Sequence, residues 1–349
     1  MKKNLFITVL LIIFICNIEI VMCSVRDASI LFFNKIFIST FPFMILSDIL
    51  FYFDYHVFLA NSFLGKFISK LFKLNSVETT VFIFSIFTSQ PNNAIYIKKL
   101  LDENAIDIND ACNLLVFTYF PSISFVIGTV GIIMLNNIKI GLFLYLNAVF
   151  NNILICLFLK RKMIPINHNF LFKKDNFINI LKNSIIKVFN NSFIILGNLI
   201  IFTIIINLIT KFINNGIFII LLSSFLEVTT SLNNISISEL NMFFKVILSA
   251  FSINFSGLSI LFQSFSILGD YQLDIKKILI IKLIFSLISS LLCIFLLFGN
   301  NKWFWFGSYS TGIFFTCFNI EYWSIFCSIS IFCSWRLSIN MYSIESCIC

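Results

Sequence analysis

The chain is 349 residues long, and 59% of its residues are hydrophobic while only 11% are charged. Soluble domains carry about a quarter charged residues, so this composition excludes an ordinary soluble globule and indicates a protein whose apolar surface is covered by lipid. The net charge of +8 comes from Lys and Arg residues scattered between apolar spans. This distribution is typical of membrane topology signals and unlike a nucleic-acid-binding patch.

Residues 5–22 form the first apolar stretch, and two lysines precede it. We interpret residues 1–27 as a retained N-terminal anchor helix whose N-terminus lies in the cytoplasm. A cleaved signal peptide is the alternative, with Cys23 at the position of a lipoprotein cleavage site. Met22 is an unusual residue to precede such a site, which favours the retained helix.

Residues 29–53 form the second predicted span, which Pro42 interrupts and which carries Asp48 at an expected interfacial position. Residues 54–74 then place lysines at helical spacing between apolar residues, a pattern that predicts an amphipathic helix on the cytoplasmic surface. The next apolar segment, 77–89, has about 13 residues, whereas a spanning helix needs about 20. It therefore predicts a re-entrant segment rather than a span.

Two full-length spans are predicted at residues 113–135 and 138–159, and Pro121 is expected to break or kink the first of them. The basic cluster 160–162 ends the first half. A basic amphipathic linker, residues 163–191, precedes the second half, which repeats the order of the first. Its predicted parts are a span, a short apolar segment and two further spans: 192–209, 217–225, 242–268 and 278–298.

Lys282 lies in the last of these spans, and we expect its side chain to reach the cytoplasmic edge of the bilayer. Residues 301–349 form a divergent tail that holds all four tryptophans. Two interpretations of this tail stay open. One is a further helix at 312–335 with tryptophans at the interface, and the other is a degenerate end of the chain.

The positions of the basic residues predict the topology. If both short apolar segments dip into the bilayer and return, the basic loops of both halves stay on the cytoplasmic side. These loops contain Lys66, Lys70, Lys73, Lys98, Lys99, residues 160–162, Lys276 and Lys277. The two halves, residues 28–162 and 192–300, then have opposite orientations. We therefore predict an all-α polytopic membrane protein of about eight transmembrane helices with two re-entrant segments in an inverted repeat.

The sequence contains none of the common nucleotide-binding or hydrolase motifs. Its ten cysteines and two histidines lack the spacing of a metal site or of a disulfide framework. Four cysteines lie in or beside apolar spans, where thiols behave as small hydrophobes: Cys16, Cys112, Cys156 and Cys293. We therefore predict neither an enzyme nor a bound metal or cofactor.

The polar turns after the two short segments are the candidate solute site, since unwound backbone and helix ends at mid-membrane coordinate polar groups. Glu227 is the most informative residue, because a carboxylate in an apolar span costs about 2–4 kcal/mol and tends to face a cavity or a partner. A coupling role with protons or cations and a capping role at the following threonines are both open. Ser256 and Gln263 either line the site or bond between helices. The candidate residues are Gln90, Asn92, Asn93, Ser122, Glu227, Thr229, Thr230, Asn233, Asn234, Ser256 and Gln263.

The same turns carry a resemblance to a known family. In chain order, the matching segments are Ser89-Gln90-Pro91-Asn92-Asn93-Ala94, Asp110-Ala111, Leu114-Leu115-Val116-Phe117, Pro121-Ser122, Phe125-Val126-Ile127-Gly128-Thr129-Val130-Gly131, Leu226-Glu227-Val228-Thr229-Thr230-Ser231-Leu232, Ser256-Gly257-Leu258-Ser259 and Gln263. Over residues 28–298 the chain resembles the sporulation integral membrane proteins of the YlbJ type, which carry the nucleoside-recognition Gate domain. The resemblance implies a role in endospore formation, in assembly of the spore envelope, without a defined substrate.

The sequence departs from that family at the first turn. Of the family's Gly-Tyr-Pro-x-Gly-Ala pattern only Pro91 and Ala94 remain, and Thr118-Tyr119 stands where the family has an asparagine pair. If these positions shape a ligand site, a different ligand or none is expected.

We therefore predict a multi-pass protein of the cell membrane that serves endospore formation and transports or senses a small polar solute, with a coupling ion. Alternating exposure of a site between residues 90–94 and 227–234 would move the solute without covalent chemistry. The alternative is a structural or recruiting membrane protein of the spore envelope that has lost transport. Beyond the lipid bilayer, neither nucleic acid nor a cofactor is expected as a partner, and the oligomeric state is open.

Overall fold

The computed structural model describes residues 2–53, 55–88, 90–104, 106–159, 176–211, 213 and 215–298. In this part of the chain every regular element is helical, which confirms the predicted all-α class. Residues up to Leu296 belong to one compact unit. The basic cluster 160–162, the start of the predicted linker and the tail 301–349 with its predicted helix lie outside the described residues.

The described helices fall into two groups separated by residues 160–175. The first group contains α1 (Lys2–Cys16), α2 (Ile18–Leu31), a first π-helical segment (Phe32–Phe37), α3 (Ile38–Tyr52), α4 (Tyr55–Asn61), α5 (Phe63–Phe72), α6 (Ser76–Thr88), α7 (Asn92–Asp102), α8 (Ile108–Phe117), a second π-helical segment (Ser124–Met134) and α9 (Ile138–Phe158). The second group contains α10 (Phe177–Thr210), α11 (Gly216–Leu226), α12 (Val228–Ile237), α13 (Met242–Phe255), α14 (Gly257–Ile267) and α15 (Ile275–Phe298).

The first helix break occurs at Asn17 and not, as predicted, after residue 27. The Asn17 side-chain amide donates to the carbonyl of Ile13 at 2.9 Å, in addition to the Asn17 backbone N–H, which donates to the same carbonyl at 3.1 Å. From α2 through the first π-helical segment to α3 the helix then continues without a gap. Arg26 and Asp27 stay within α2 because their side chains are exposed and form an ion pair at 3.5 Å.

Two helices, α4 and α5, occupy the segment predicted as a single amphipathic helix at 54–74. The chain turns at Ser62, whose hydroxyl caps α5 by accepting the N–H of Gly65. On α5, Phe63 and Phe67 are exposed. Exposed aromatic side chains on a short helix with several lysines are typical of a helix that lies on a membrane surface.

α6 and α7 form an antiparallel pair, with a turn at residues 90 and 91 before α7. The ring centroids of Phe84 and Tyr96 lie 4.1 Å apart between the two helices. A capping box starts α6, since the Asn75 N–H donates to Glu78 at 3.0 Å and the Glu78 N–H donates to Asn75 Oδ1 at 2.7 Å. Because the two helices are antiparallel, the start of α6 near residue 76 and the end of α7 near residue 102 lie at the same end of the pair.

The helix predicted over 113–135 is interrupted, as Pro121 predicts: residues 118–122 are not helical. Beyond the break, Gly131 in the second π-helical segment packs on Gly141 in α9. A Cβ on Gly131 would lie only 2.7 Å from the Cα of Gly141. Small residues permit this close approach of two helices inside a membrane.

α10 runs antiparallel to the long helix α2–α3 and is tied to it at both ends. Lys187 forms an ion pair with Asp48 at one end, and Lys211 donates to Asn17 Oδ1 at 2.8 Å at the other. The two lysines are 24 residues apart, which corresponds to about 36 Å of α-helix. None of residues 188–210 is charged, so the apolar part of α10 matches the ~30 Å hydrocarbon core of a bilayer.

Five described segments are long and apolar enough to cross a membrane: Ile18–Leu50, Ile138–Phe158, Phe177–Thr210, Met242–Ile267 and Ile275–Leu296. They support a membrane-embedded helical protein. The expected eight spans are not all matched within the described residues. The predicted span 5–22 corresponds to α1, which has 15 residues, and the span 113–135 is divided between α8 and the second π-helical segment.

A cluster of amides joins α9, α13 and α15 in the interior. Asn254 of α13 donates to Asn147 Oδ1 at 3.1 Å and to Ser289 Oγ at 2.7 Å, and Asn151 donates to Asn254 Oδ1 at 2.9 Å. All four side chains are buried. In an apolar environment such interhelical hydrogen bonds fix which helices pack together.

The expected position of Lys282 at the membrane edge is wrong. Its side chain is 1% exposed, and its ammonium lies 4.2 Å from the centroid of the Tyr119 ring. A cation over an aromatic face gains electrostatic stabilisation where water is excluded. The prediction assumed that the long lysine side chain would extend to the surface. Instead, the Tyr119 ring at the break after α8 provides a partner for the ammonium in the interior.

Candidate functional site

One cavity of about 100 Å³ lies where the interrupted helices meet. Such a volume holds several water molecules or a small solute. Its wall is formed by side chains from the α2–α3 helix, the α6–α7 turn, the breaks at 118–122, 227 and 256, and α10. The lining residues are Ile36, Thr40, Met44, Gln90, Pro121, Ser122, Phe125, Ile195, Leu199, Glu227, Val228, Thr229, Ile253, Ser256, Ser259, Ile260 and Gln263.

Glu227 forms the break between α11 and α12 and lines this cavity. Its backbone is extended, with φ −150° and ψ 119°, and its carboxylate accepts the N–H of Thr230 to cap α12. The side chain is 3% exposed. The positive end of the α12 dipole favours a carboxylate at this position. Glu227 therefore holds the helix end and presents the one carboxylate among the described residues of the cavity wall.

Three buried hydroxyls tie this break to the neighbouring helix. Ser231 of α12 lies 2.7 Å from Ser224 of α11 and 3.0 Å from Ser252 of α13, and Ser252 donates to Ser224 at 2.9 Å. All three are fully buried. The cluster fixes α11 and α12 against α13 directly beside Glu227.

The break between α13 and α14 is in direct contact with the break at Glu227. Ser256 and Gly257 both have positive φ angles, 70° and 71°. A Cβ on Gly257 would lie 3.0 Å from the backbone nitrogen of Val228 and 3.1 Å from the Cα of Glu227. Glycine permits both the left-handed backbone and this approach.

Two amides complete the polar part of the wall. The Nε2 atom of Gln90 is buried and has no hydrogen-bond partner within the described residues. Gln263 is 8% exposed and lies on the same wall. A buried amide without a partner is costly, so a polar molecule in the cavity would satisfy Gln90.

The structure brings together six of the eleven predicted site residues. Gln90 comes from the α6–α7 turn and Ser122 from the break at Pro121. The other four come from the second group of helices and also line the cavity: Glu227, Thr229, Ser256 and Gln263.

The first two of the five remaining candidates belong to α7. Asn93 is buried and donates to the carbonyl and hydroxyl oxygens of Thr118, both at 3.3 Å. Asn92 lines a smaller cavity of about 20 Å³ that also contacts Asp48 and Lys187. Asn93 therefore stabilises the break in α8 instead of facing the main cavity.

The other three lie on α12. Thr230 lies 3.1 Å from the hydroxyl of Thr203, and Asn233 accepts a hydrogen bond of 2.8 Å from Lys35. Asn234 accepts the N–H of Ser238 with its main-chain carbonyl at 3.1 Å. These residues hold α12 in place and do not line the cavity.

Lys35 and the apolar lining residues were not among the predicted site residues. Lys35 is the one charge between Asp27 and Asp48 and lies in the first π-helical segment, beside the lining residue Ile36. Thr129 of the second π-helical segment donates to the Lys35 carbonyl at 3.3 Å. A lysine inside a predicted span is a sequence signal for a functional region. The π-helical segments also mark functional regions, but the sequence did not reveal them.

The end of α7 is bonded to the connection between α14 and α15. Lys98 lies 2.5 Å from Asp270, and the Tyr271 hydroxyl donates to Asp102 at 2.6 Å. The hydrogen bond to Asp270 raises the pKa of Lys98, and the bond to Asp102 raises the pKa of Tyr271. Exposed pairs of this kind add little stability, but they place the two connections on the same face of the molecule.

In comparisons with protein-family models, curated proteins and solved structures, nothing matches this chain.

We expect Gly257→Ala to lower the free energy of unfolding by about 2 kcal/mol or more, because the new Cβ meets the α11–α12 break and the left-handed backbone disfavours alanine. Unfolding of the purified protein in detergent, followed by circular dichroism, measures the change. Gly269→Ala is the matched control, since its Cβ would meet the nearest atom at an ordinary 3.4 Å. An equal loss in both variants would contradict the close contact of the two breaks.

Proposed function

We propose that this chain is a multi-pass membrane carrier that binds a small polar solute in the cavity and exposes it alternately to the two sides of the bilayer. The observation that carries the proposal is that the Gln90 turn and the Glu227 break, far apart in sequence, line the same cavity. Both belong to pairs of short helices. Transporter sites near the bilayer midplane are typically built from such broken helices.

The lengths of these helices support a re-entrant path. α6 and α7 have 13 and 11 residues, and α11 and α12 have 11 and 10. At a rise of about 1.5 Å per residue they are roughly 15–20 Å long, about half of the ~30 Å hydrocarbon core. A pair of this length that enters from one face reaches the midplane and returns, which would put Gln90 and Glu227 at mid-membrane.

The order of the elements supports an inverted repeat. A long helix, a pair of short helices, an interrupted helix and an uninterrupted helix follow each other twice: α2–α3, α6–α7, α8 with the second π-helical segment and α9, then α10, α11–α12, α13–α14 and α15. With α1 and residues 312–335 counted as further spans, the proposed total is about eight.

The contacts at the end of α7 support the proposed sidedness. If α11–α12 returns to the face it entered, four proposed spans separate residues 98–102 from residues 270–277, and both lie on the same side of the bilayer. If α11–α12 crossed instead, a fifth span would place them on opposite sides. Lys98 and Asp102 bond to Asp270 and Tyr271, which agrees with the re-entrant path of α11–α12. The basic residues on this face make it cytoplasmic, and the proposed location is the cell membrane.

Cysteines introduced at Lys98 and Lys276 test this topology. In intact cells, a membrane-impermeant thiol reagent should modify neither position above the level of the unchanged chain, because both are proposed to lie in the cytoplasm. Glu239→Cys, in the exposed α12–α13 connection, is the positive control and should be modified. Modification of position 98 or 276 from outside would disprove the inverted repeat.

The mechanism that we propose needs no covalent step. The solute binds to the amides, hydroxyls and carboxylate of the cavity wall while one helix pair separates it from each face. Movement of one pair at a time opens the cavity to one side. The buried charge of Glu227 requires a positive partner in transit, and a proton, a metal cation or the solute itself can supply it. A proton or a metal cation in this role would be the coupling ion of the cycle.

Ser122→Cys tests alternating exposure. In reconstituted vesicles, an impermeant thiol reagent should modify this position from either side, because each state opens the cavity to one face. Ser252→Cys is the matched control, since Ser252 is buried between helices outside the cavity and should resist modification. A cavity cysteine that reacts from neither side would contradict a carrier.

On the sequence resemblance alone, we further propose that the carrier serves endospore formation. The alternative is a structural or recruiting membrane protein of the spore envelope. One observation favours this alternative. Asn93, a candidate ligand residue, bonds to Thr118 within the protein and so stabilises the fold instead of binding a solute.

Glu227→Gln separates the two roles in an organism that forms endospores. Heat-resistant spores, counted after sporulation, should fall at least about tenfold if a charge in the cavity is needed for transport. Glu78→Gln is the matched control, because Glu78 is also a buried capping carboxylate but does not line the cavity. Normal spore numbers with Glu227→Gln would favour the structural role.

A further inference from the structure

Glu227 determines the charge that the cavity accepts. Among the lining residues that the structure describes, it is the one ionisable side chain, and none of them is Lys, Arg or His. An ionised carboxylate that is 3% exposed is costly unless a positive group bonds to it. Lys35, next in sequence to the lining residue Ile36, donates to Asn233 at 2.8 Å. A positive group in the cavity would therefore stabilise the ionised carboxylate.

The Thr230 N–H donates to Glu227, and the neighbouring Ser256 supplies an acceptor. The Ser256 hydroxyl donates its hydrogen to the carbonyl of Ile253 at 2.9 Å, which leaves its oxygen as an acceptor. Ser256 belongs to the break that packs against Glu227 through Gly257. A carboxylate beside a hydroxyl acceptor suits a group with several N–H donors and a positive charge, such as an ammonium.

Gln90 requires a hydrogen-bond acceptor, whereas Glu227 and Ser256 require donors. Its buried Nε2 is a donor without a partner in the described part of the chain, so it requires an acceptor on the occupant. A bare metal cation provides no acceptor. The cavity volume of about 100 Å³ also exceeds what a single ion fills.

We propose that the occupant is a small amine that also carries an oxygen acceptor, with its ammonium group against Glu227 and Ser256 and its oxygen against Gln90. This inference rests on the proposed carrier and names the class of its solute. The solute's own positive charge then neutralises Glu227. Carboxylates and phosphates are excluded, because they would place a second negative charge in a cavity whose described lining contains no basic residue.

A charge series of similar size tests the proposal: ethanolamine, ethylene glycol and glycolate are positive, neutral and negative. Calorimetric titration of the full chain in detergent should show that ethanolamine binds at least about tenfold more tightly than ethylene glycol, because it adds a charge-assisted bond in a desolvated site. Glycolate should not bind. Glu227→Gln should abolish the preference for ethanolamine, and Glu78→Gln should retain it.

A second variant keeps the test valid if Glu227→Gln does not fold. Propylamine has the size and charge of ethanolamine but lacks the oxygen. The unchanged chain should bind ethanolamine more tightly than propylamine, and Gln90→Met should bring the two affinities to within about twofold, because the donor for the solute oxygen is removed.

Several results would overturn the amine assignment. Equal affinity for ethanolamine and ethylene glycol, binding of glycolate, or no binding of any probe would each contradict it. Sodium chloride that binds alone and displaces ethanolamine would assign the cavity to an inorganic cation instead. None of these results affects labelling of Ser122→Cys from the two sides, so the carrier proposal stands or fails by that separate measurement.

Discussion

The close packing of Gly257 against the backbone at Glu227 and Val228 is the contact on which the rest of the site depends. In a bilayer, a broken helix exposes N–H and C=O groups that lipid cannot satisfy, so breaks are tolerated only inside protein or beside a polar cavity. This chain places its interruptions against each other. Each break then shields the next from lipid, and the space left between them is the cavity.

Polar side chains satisfy the backbone groups that these breaks release. The Glu227 carboxylate takes an N–H at the start of α12, and the Ser256 hydroxyl bonds to a carbonyl at the end of α13. At the break in α8, Asn93 bonds to the carbonyl of Thr118, and Asn152 of α9 bonds to that of Tyr119 at 3.1 Å. Buried asparagine and serine side chains therefore stabilise the helix breaks. In the sequence, each of them appears only as an isolated polar residue in an apolar span.

This requirement explains what the sequence alone can predict. The two short apolar stretches are helices that end just before Gln90 and at Glu227, so the ends of both segments were visible in the sequence. The sequence does not predict which way each side chain faces. Successive residues of a helix point about 100° apart, so a run of polar residues contributes only some of its members to any one surface. Thr229 lines the cavity while Thr230 bonds to Thr203. Partners far apart in sequence, such as Tyr119 for Lys282, leave no periodic signal at all.

The two turns that meet at the cavity differ in how firmly they are held. The α11–α12 break is fixed by its own cap, by the serine cluster and by the backbone contact with Gly257. At the α6–α7 turn, the buried amide of Gln90 has no such partner among the described residues. In a carrier built this way, the α11–α12 pair would supply a fixed charged surface, while the α6–α7 turn would gain its missing hydrogen bond only when solute is present. Because a ligand shifts a conformational equilibrium by its differential contacts with the two states, the α6–α7 pair would be the element whose position solute binding controls in the proposed carrier.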